Sequence, residues 1–146
     1  MIEISPVLLS QRDQLFDLMH YLMEHSCPQE PFNAVFDQML SRPDYHLLGA
    51  VLDGEKLIGS VMGIISLDLK RDCRPQLFME NMVVHPEYRS LGAGKLLLGA
   101  LEQIGRENNC FFIQFCSSWQ RTEAHRFYEE KMGYDPSVAK GYRKFL

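Results

Sequence analysis

Apolar and polar positions change period along this chain. Near the start, Ile2 and Ile4 alternate with Glu3 and Ser5, the two-residue period of a strand. Ser10 with Asp13 three positions on resembles a capping box, and Leu15, Leu18, Met19 and Leu22 then recur at helical spacing. Phe32, Val35, Phe36 and Met39 repeat that spacing, and Pro43 closes the run. From there the period shortens. Residues 47–52 and 57–67 are rich in aliphatic side chains, with the hairpin signal Asp53-Gly54 between them. Gly59 and Gly63 weaken the second run, or mark bulges or close backbone approaches. A charged loop at 68–74 precedes a further strand at 77–84, which carries Glu80 in its middle.

The second half alternates strands and helices. A helix after residue 95 buries Leu97, Ala100, Leu101 and Ile104 on one stripe, and Asn108-Asn109 can stop it. Residues 111–116 are apolar on both faces, as in a central parallel strand. A helix at about 122–132 ends at Gly133, and 139–146 can supply a last strand. The strand–helix–strand order implies a right-handed crossover, while the first half reads as antiparallel. The expected fold is α/β (α+β), with a mixed central sheet of about six to seven strands and about four helices.

Composition narrows this further. At 146 residues, 46% apolar and 23% charged, the chain suits one domain, 1–146, with a sizeable core. A net charge of -4 speaks against nucleic acid or an anionic membrane as partner. No apolar run is long enough to span a bilayer, and the first residues lack a signal peptide's pattern. Cys27, Cys73, Cys110 and Cys116 form no CxxC pair, so a reduced, cytoplasmic protein is expected. Cys110 and Cys116, flanking the strand at 111–116, read as small apolar fillers. His20, Glu24 and His25 lack HExxH order, and no metal site is expected.

The candidate chemistry lies in Arg89, Ser90, Leu91, Gly92, Ala93, Gly94 and Lys95, between a strand and a helix. Glycines there let backbone N–H groups approach a phosphate, and a helix start adds partial positive charge. By local composition alone, a purely structural loop is an equal reading. The spacing removes two competitors. A Walker loop needs glycine and Ser/Thr where Arg89 and Leu96 stand, and a dinucleotide fingerprint needs a small residue at Leu97.

Arg89, Gly92 and Gly94 match the signature Arg/Gln-x-x-Gly-x-Gly/Ala, after Val83-Val84-His85-Pro86 and before an amphipathic helix. A second block, Ala124 to Glu129 with Gly133-Tyr134, follows at the usual separation. In both blocks the chain resembles the GCN5-related N-acetyltransferase (GNAT) family, over about its C-terminal half. The resemblance implies acetyl-CoA as cosubstrate, held by residues 89–95 and paired strand-like with backbone groups of Met82, Val83 and Val84. Those N–H groups would also polarise the thioester carbonyl. Glu80, interrupting an apolar run, is the candidate base through water, a salt-bridged or edge carboxylate being an equal reading. Strand alternation sets Phe78, Glu80, Met82 and Val84 on one face. Tyr128 would be the acid that protonates the departing thiolate; without the resemblance it reads as a core aromatic. Arg121 stands where the family often has Asn, as a CoA-phosphate contact or as a solvated residue.

The implied activity is acetyl transfer to the primary amine of a small molecule. A protein or peptide acceptor and a non-catalytic acyl-CoA-binding module are the alternatives. A last strand that pairs with or swaps into a neighbour would make the protein a homodimer.

Overall fold

The computed structural model describes every residue except Glu24 and Ser26. Among the described residues, five strands form one sheet in the order β1 (Ile2–Pro6), β2 (Tyr45–Leu52), β3 (Lys56–Ser66), β4 (Gln76–Val84) and β5 (Ile113–Gln114). Neighbours from β1 to β4 run antiparallel and β5 joins β4 in parallel, so the sheet is mixed as expected. The helices are α1 (Arg12–Met19), α2 (Gln29–Leu40), α3 (Ala93–Glu107) and α4 (Thr122–Arg126), the last continuing as a π turn at Phe127–Lys131.

The chain divides into two compact units, Met1–Gln114 and Phe115–Leu146. In the first, α1 and α2 cover one face of the sheet: Leu15, Leu18 and Phe36 join Val7, Val51, Leu57 and Val83 in a buried cluster. On the other face α3 sinks Leu97, Leu98 and Leu101, all fully buried. The helix comes this close because β3 has glycines beneath it. A Cβ on Gly63 would lie 2.4 Å from Leu101 Cδ1, and one on Gly59 would lie 3.2 Å from Leu97 Cδ1. Close approach, one of the readings open from sequence, is therefore what these two glycines serve. Asp53 and Gly54, at φ 52° and 78°, make the tight reversal between β2 and β3.

Several expectations change. The sheet has five strands, not six to seven, because residues 139–146 hold no strand and β5 is two residues long. That shortened strand lies at the sheet edge and not at its centre. The apolar pair Phe111 and Phe112 sits under the guanidinium groups of Arg71 and Arg74, at 4.8 to 5.4 Å, which takes the place of a second neighbouring strand. Cys116 beyond it is exposed and no core filler. Finally, Ser10 does not cap α1. A 3-10 turn at Leu9–Gln11 precedes the helix, and the Gln11 side chain accepts from the Leu8 N–H at 2.9 Å, two residues earlier than the expected cap.

Candidate active site

β4 is interrupted where the chemistry is expected. Ser60 pairs with Val83 and Met62 with Glu80, so two steps along β3 match three along β4 and Val61 faces both Asn81 and Met82. This is a β-bulge, and Asn81 takes its extra turn with φ 54°. Asparagine is among the few side chains that adopt this left-handed geometry readily. The bulge also breaks the expected alternation. Val83 joins the cluster under α1 and α2, while Val84 lies beside Gly59 on the α3 face. Glu80 and Val84 therefore do not share a face. Glu80 is exposed at the edge of the bulge.

β4 also outruns its outer neighbour. The parallel ladder with β5 contains only Leu77–Ile113 and Phe78–Gln114. From residue 79 to 84, Met82, Val83 and Val84 included, this edge of β4 has no strand partner among the described residues. Backbone groups on this edge are thus without a strand partner along an extended segment, Val84 C=O accepting instead from Arg89.

At its end β4 passes through His85 into a 3-10 turn at Pro86–Leu91, and the turn hands directly to α3 through Gly92. Gly92 has φ 84° and ψ 8°, a left-handed cap that glycine adopts without strain, and a Cβ there would meet nothing within 4 Å. The first helical bond of α3 runs from Leu96 N–H to Gly92 C=O at 3.2 Å. The N–H groups of Ala93, Gly94 and Lys95 therefore precede any intrahelical acceptor, and no acidic side chain occupies that first turn. Arg89, Ser90 and Lys95 are exposed around it. Arg89 Nε donates to Val84 C=O at 3.3 Å, using one of its five donors to tie the turn to the strand. The arrangement is an open, positively biased cradle joined to a free strand edge.

The second unit contains Tyr128 and Arg121. Tyr128 lies within the π turn, half-buried against Phe115 at 4.6 Å, with Tyr134 at 6.4 Å and Phe127 at 5.4 Å. Burial pushes its phenol above the ordinary tyrosine range, against a smaller opposing pull from Arg121. Tyr134 N–H donates to Tyr128 C=O at 3.0 Å, just after the left-handed Gly133 that ends the helix. Arg121 is the residue before α4.

Two features escaped the sequence reading. One is the bulge, whose signal is an asparagine directly after Glu80 in a mainly apolar strand. The other is a bond from Tyr21 to His85 at 3.0 Å, between the residues after α1 and the end of β4, which no spacing announces. His20 bonds to Phe16 C=O through Nδ1; Glu24 lies outside the described residues. Among the described residues, no group of three or more His, Cys, Asp or Glu is gathered to hold a metal, and no helix is long and apolar enough to cross a membrane.

Comparison with known proteins agrees with this anatomy. The sequence is similar to an uncharacterized N-acetyltransferase, YhdJ, of Bacillus subtilis (strain 168), at 38% identity over 58 residues. That match spans 40% of this chain and 41% of the relative, less than half of either. The fold is shared with an acetyltransferase from Trypanosoma brucei, with a TM-score of 0.84, 24% identity and complete coverage of both chains. It is shared equally with glucosamine-6-phosphate N-acetyltransferase from Arabidopsis thaliana, at TM-score 0.84 and 17% identity over 100% of this chain and 99% of that one. A family model, the Acetyltransferase (GNAT) family, matches residues 12–134. With a bulged β4, a glycine-capped α3 and a match over most of its length, the chain belongs to the GNAT acetyltransferase family.

Proposed function

We propose that this protein is an acetyl-CoA-dependent N-acetyltransferase that acetylates a primary amine of a small molecule by direct attack. The carrying observation is the continuity from the bulge in β4 to the first turn of α3. A free strand edge suits an extended, amide-bearing arm, and the three helix-start N–H groups beyond it suit a pyrophosphate. Arg89 and Lys95 add positive charge there, with Arg121 as the further candidate for a CoA phosphate.

Acetyl-CoA supplies the activated thioester carbonyl; the chain supplies orientation and protons. Glu80 takes the amine proton through a water. Backbone N–H groups on the free edge of β4, within Met82–Val84, receive the negative charge that develops on the carbonyl oxygen. Tyr128, kept protonated by its burial, gives a proton to the departing sulfur. A C–N bond forms, a C–S bond breaks, and one proton leaves nitrogen as another reaches sulfur. The shared fold of an enzyme named for an amino-sugar phosphate favours a small amine over a peptide. The four free cysteines suit a reducing cytoplasm.

The test is thiol release from acetyl-CoA over a panel of amino sugars, polyamines, aminoglycosides, amino acids and peptides. Turnover with small amines supports the reading. Turnover with peptides alone makes the acceptor a protein, and CoA binding with no release across the panel makes the chain a binding module.

A further inference from the structure

His85 has two hydrogen bonds that only one form of its ring can make together. Its Nδ1 accepts from the Glu87 N–H at 3.2 Å, capping the 3-10 turn that leads to Gly92. A ring nitrogen that accepts carries no proton, so the proton is on Nε2. Nε2 lies 3.0 Å from the Tyr21 hydroxyl and donates to it. The main chain of the same residue is anchored too: His85 N–H donates to Ile58 C=O at 2.8 Å, and Tyr88 N–H to His85 C=O at 2.9 Å.

The groups around the ring come from three parts of the fold. Tyr21 follows α1, with its ring 4.9 Å from the imidazole. Tyr88 lies 5.3 Å away on the turn itself. Lys56, opening β3, donates to the Tyr88 hydroxyl at 2.7 Å and senses the Glu87 carboxylate and the Tyr21 phenol. One cation and one anion thus flank the site. The cation cannot take over the cap, because a lysine has no acceptor to offer the Glu87 N–H.

We propose that His85 is a positioning residue for the donor-binding turn, holding it only while its imidazole is neutral. Protonation places a hydrogen on Nδ1, opposite the Glu87 N–H, and two donors face each other. The cap of residues 86–91 is then lost, and with it the fixed approach to Gly92 and the first turn of α3. The tautomer follows from geometry alone, whereas the effect on binding rests on the reading of residues 89–95 as a CoA site. Losing one such cap corresponds to about a fivefold weaker donor affinity.

The experiment is calorimetric titration with CoA from pH 5 to pH 8, for the native protein and His85→Asn, together with 15N shifts of the imidazoles. Asparagine can cap the same N–H without titrating. The native protein is expected to weaken by about fivefold more than His85→Asn between pH 8 and pH 5. CoA's own titration is common to both and cancels. At pH 8 the imidazole signals missing from His85→Asn are expected to report a protonated Nε2. An Nδ1-protonated ring, or pH profiles that superimpose, would overturn the proposal. Absence of CoA binding at pH 8 would instead overturn the donor site, leaving the 15N shifts to decide the tautomer.

Discussion

Asn81 holds a left-handed backbone inside a strand, and that single conformation exposes Glu80 at a break in the ladder. Left-handed geometry costs an L-residue about 1–2 kcal/mol, less for asparagine, so the break is maintained by the surrounding sheet. If Glu80 and Tyr128 are the base and the acid, each should affect turnover and not donor binding. Glu80→Gln and Tyr128→Phe are each expected to lower kcat by about 10²- to 10⁴-fold with the CoA Kd unchanged. Steady-state kinetics beside calorimetry checks this, and unchanged kcat removes the residue concerned from the mechanism. At this scale the sequence showed the residue types and missed their setting. Glu80 was visible as a carboxylate in an apolar run. The one-residue insertion that returns Val83 to the face of Glu80 was not, since strict alternation assumes an unbroken ladder.

Elements were legible where the pattern belongs to one segment and obscure where it depends on a partner. α3 announced itself by its stripe, and β2 and β3 by their hairpin turn, because these signals are local. The run at 111–116 misled because apolarity on both faces also fits two aromatic rings under arginines. The helix–sheet contact yields a paired prediction. Gly63→Ala sets a Cβ 2.4 Å from Leu101 Cδ1 and 3.3 Å from its Cγ, within a fully buried layer. It should destabilise the fold by about 1–3 kcal/mol. Gly99→Ala, in the same contact's helix with nothing within 4 Å, should stabilise it by about 0.5–1 kcal/mol. Chemical denaturation reads both, and equal effects would show that β3 and α3 are not packed so closely.

For the molecule as a whole, one enclosed histidine gives stability a pH dependence. Burial pushes the His46 imidazole below the ordinary histidine range, against a weaker pull from Asp44, and its enclosed Nε2 has no hydrogen-bond partner among the described residues. The folded state thus binds fewer protons than the unfolded one just below about pH 6.5. Stability should be full above that pH and fall as pH drops through the window. His46→Leu should flatten the slope, and thermal melts between pH 5 and pH 7 with identical slopes would contradict this. Carboxylates held low by their partners, such as Asp68 bonded to the Lys70 N–H and to Gln76, act only further into acid. Fold class and the glycine turn that opens α3 were readable because strand, glycine loop and helix follow one another in sequence. The acceptor side was not, because it has no local pattern to show. The most direct test of the central claim is calorimetric titration with acetyl-CoA, with CoA and ATP as controls and Arg89→Ala alongside. Binding of acetyl-CoA and CoA but not ATP, weakened in Arg89→Ala, is the predicted result, and no binding of either thioester or thiol would contradict the account.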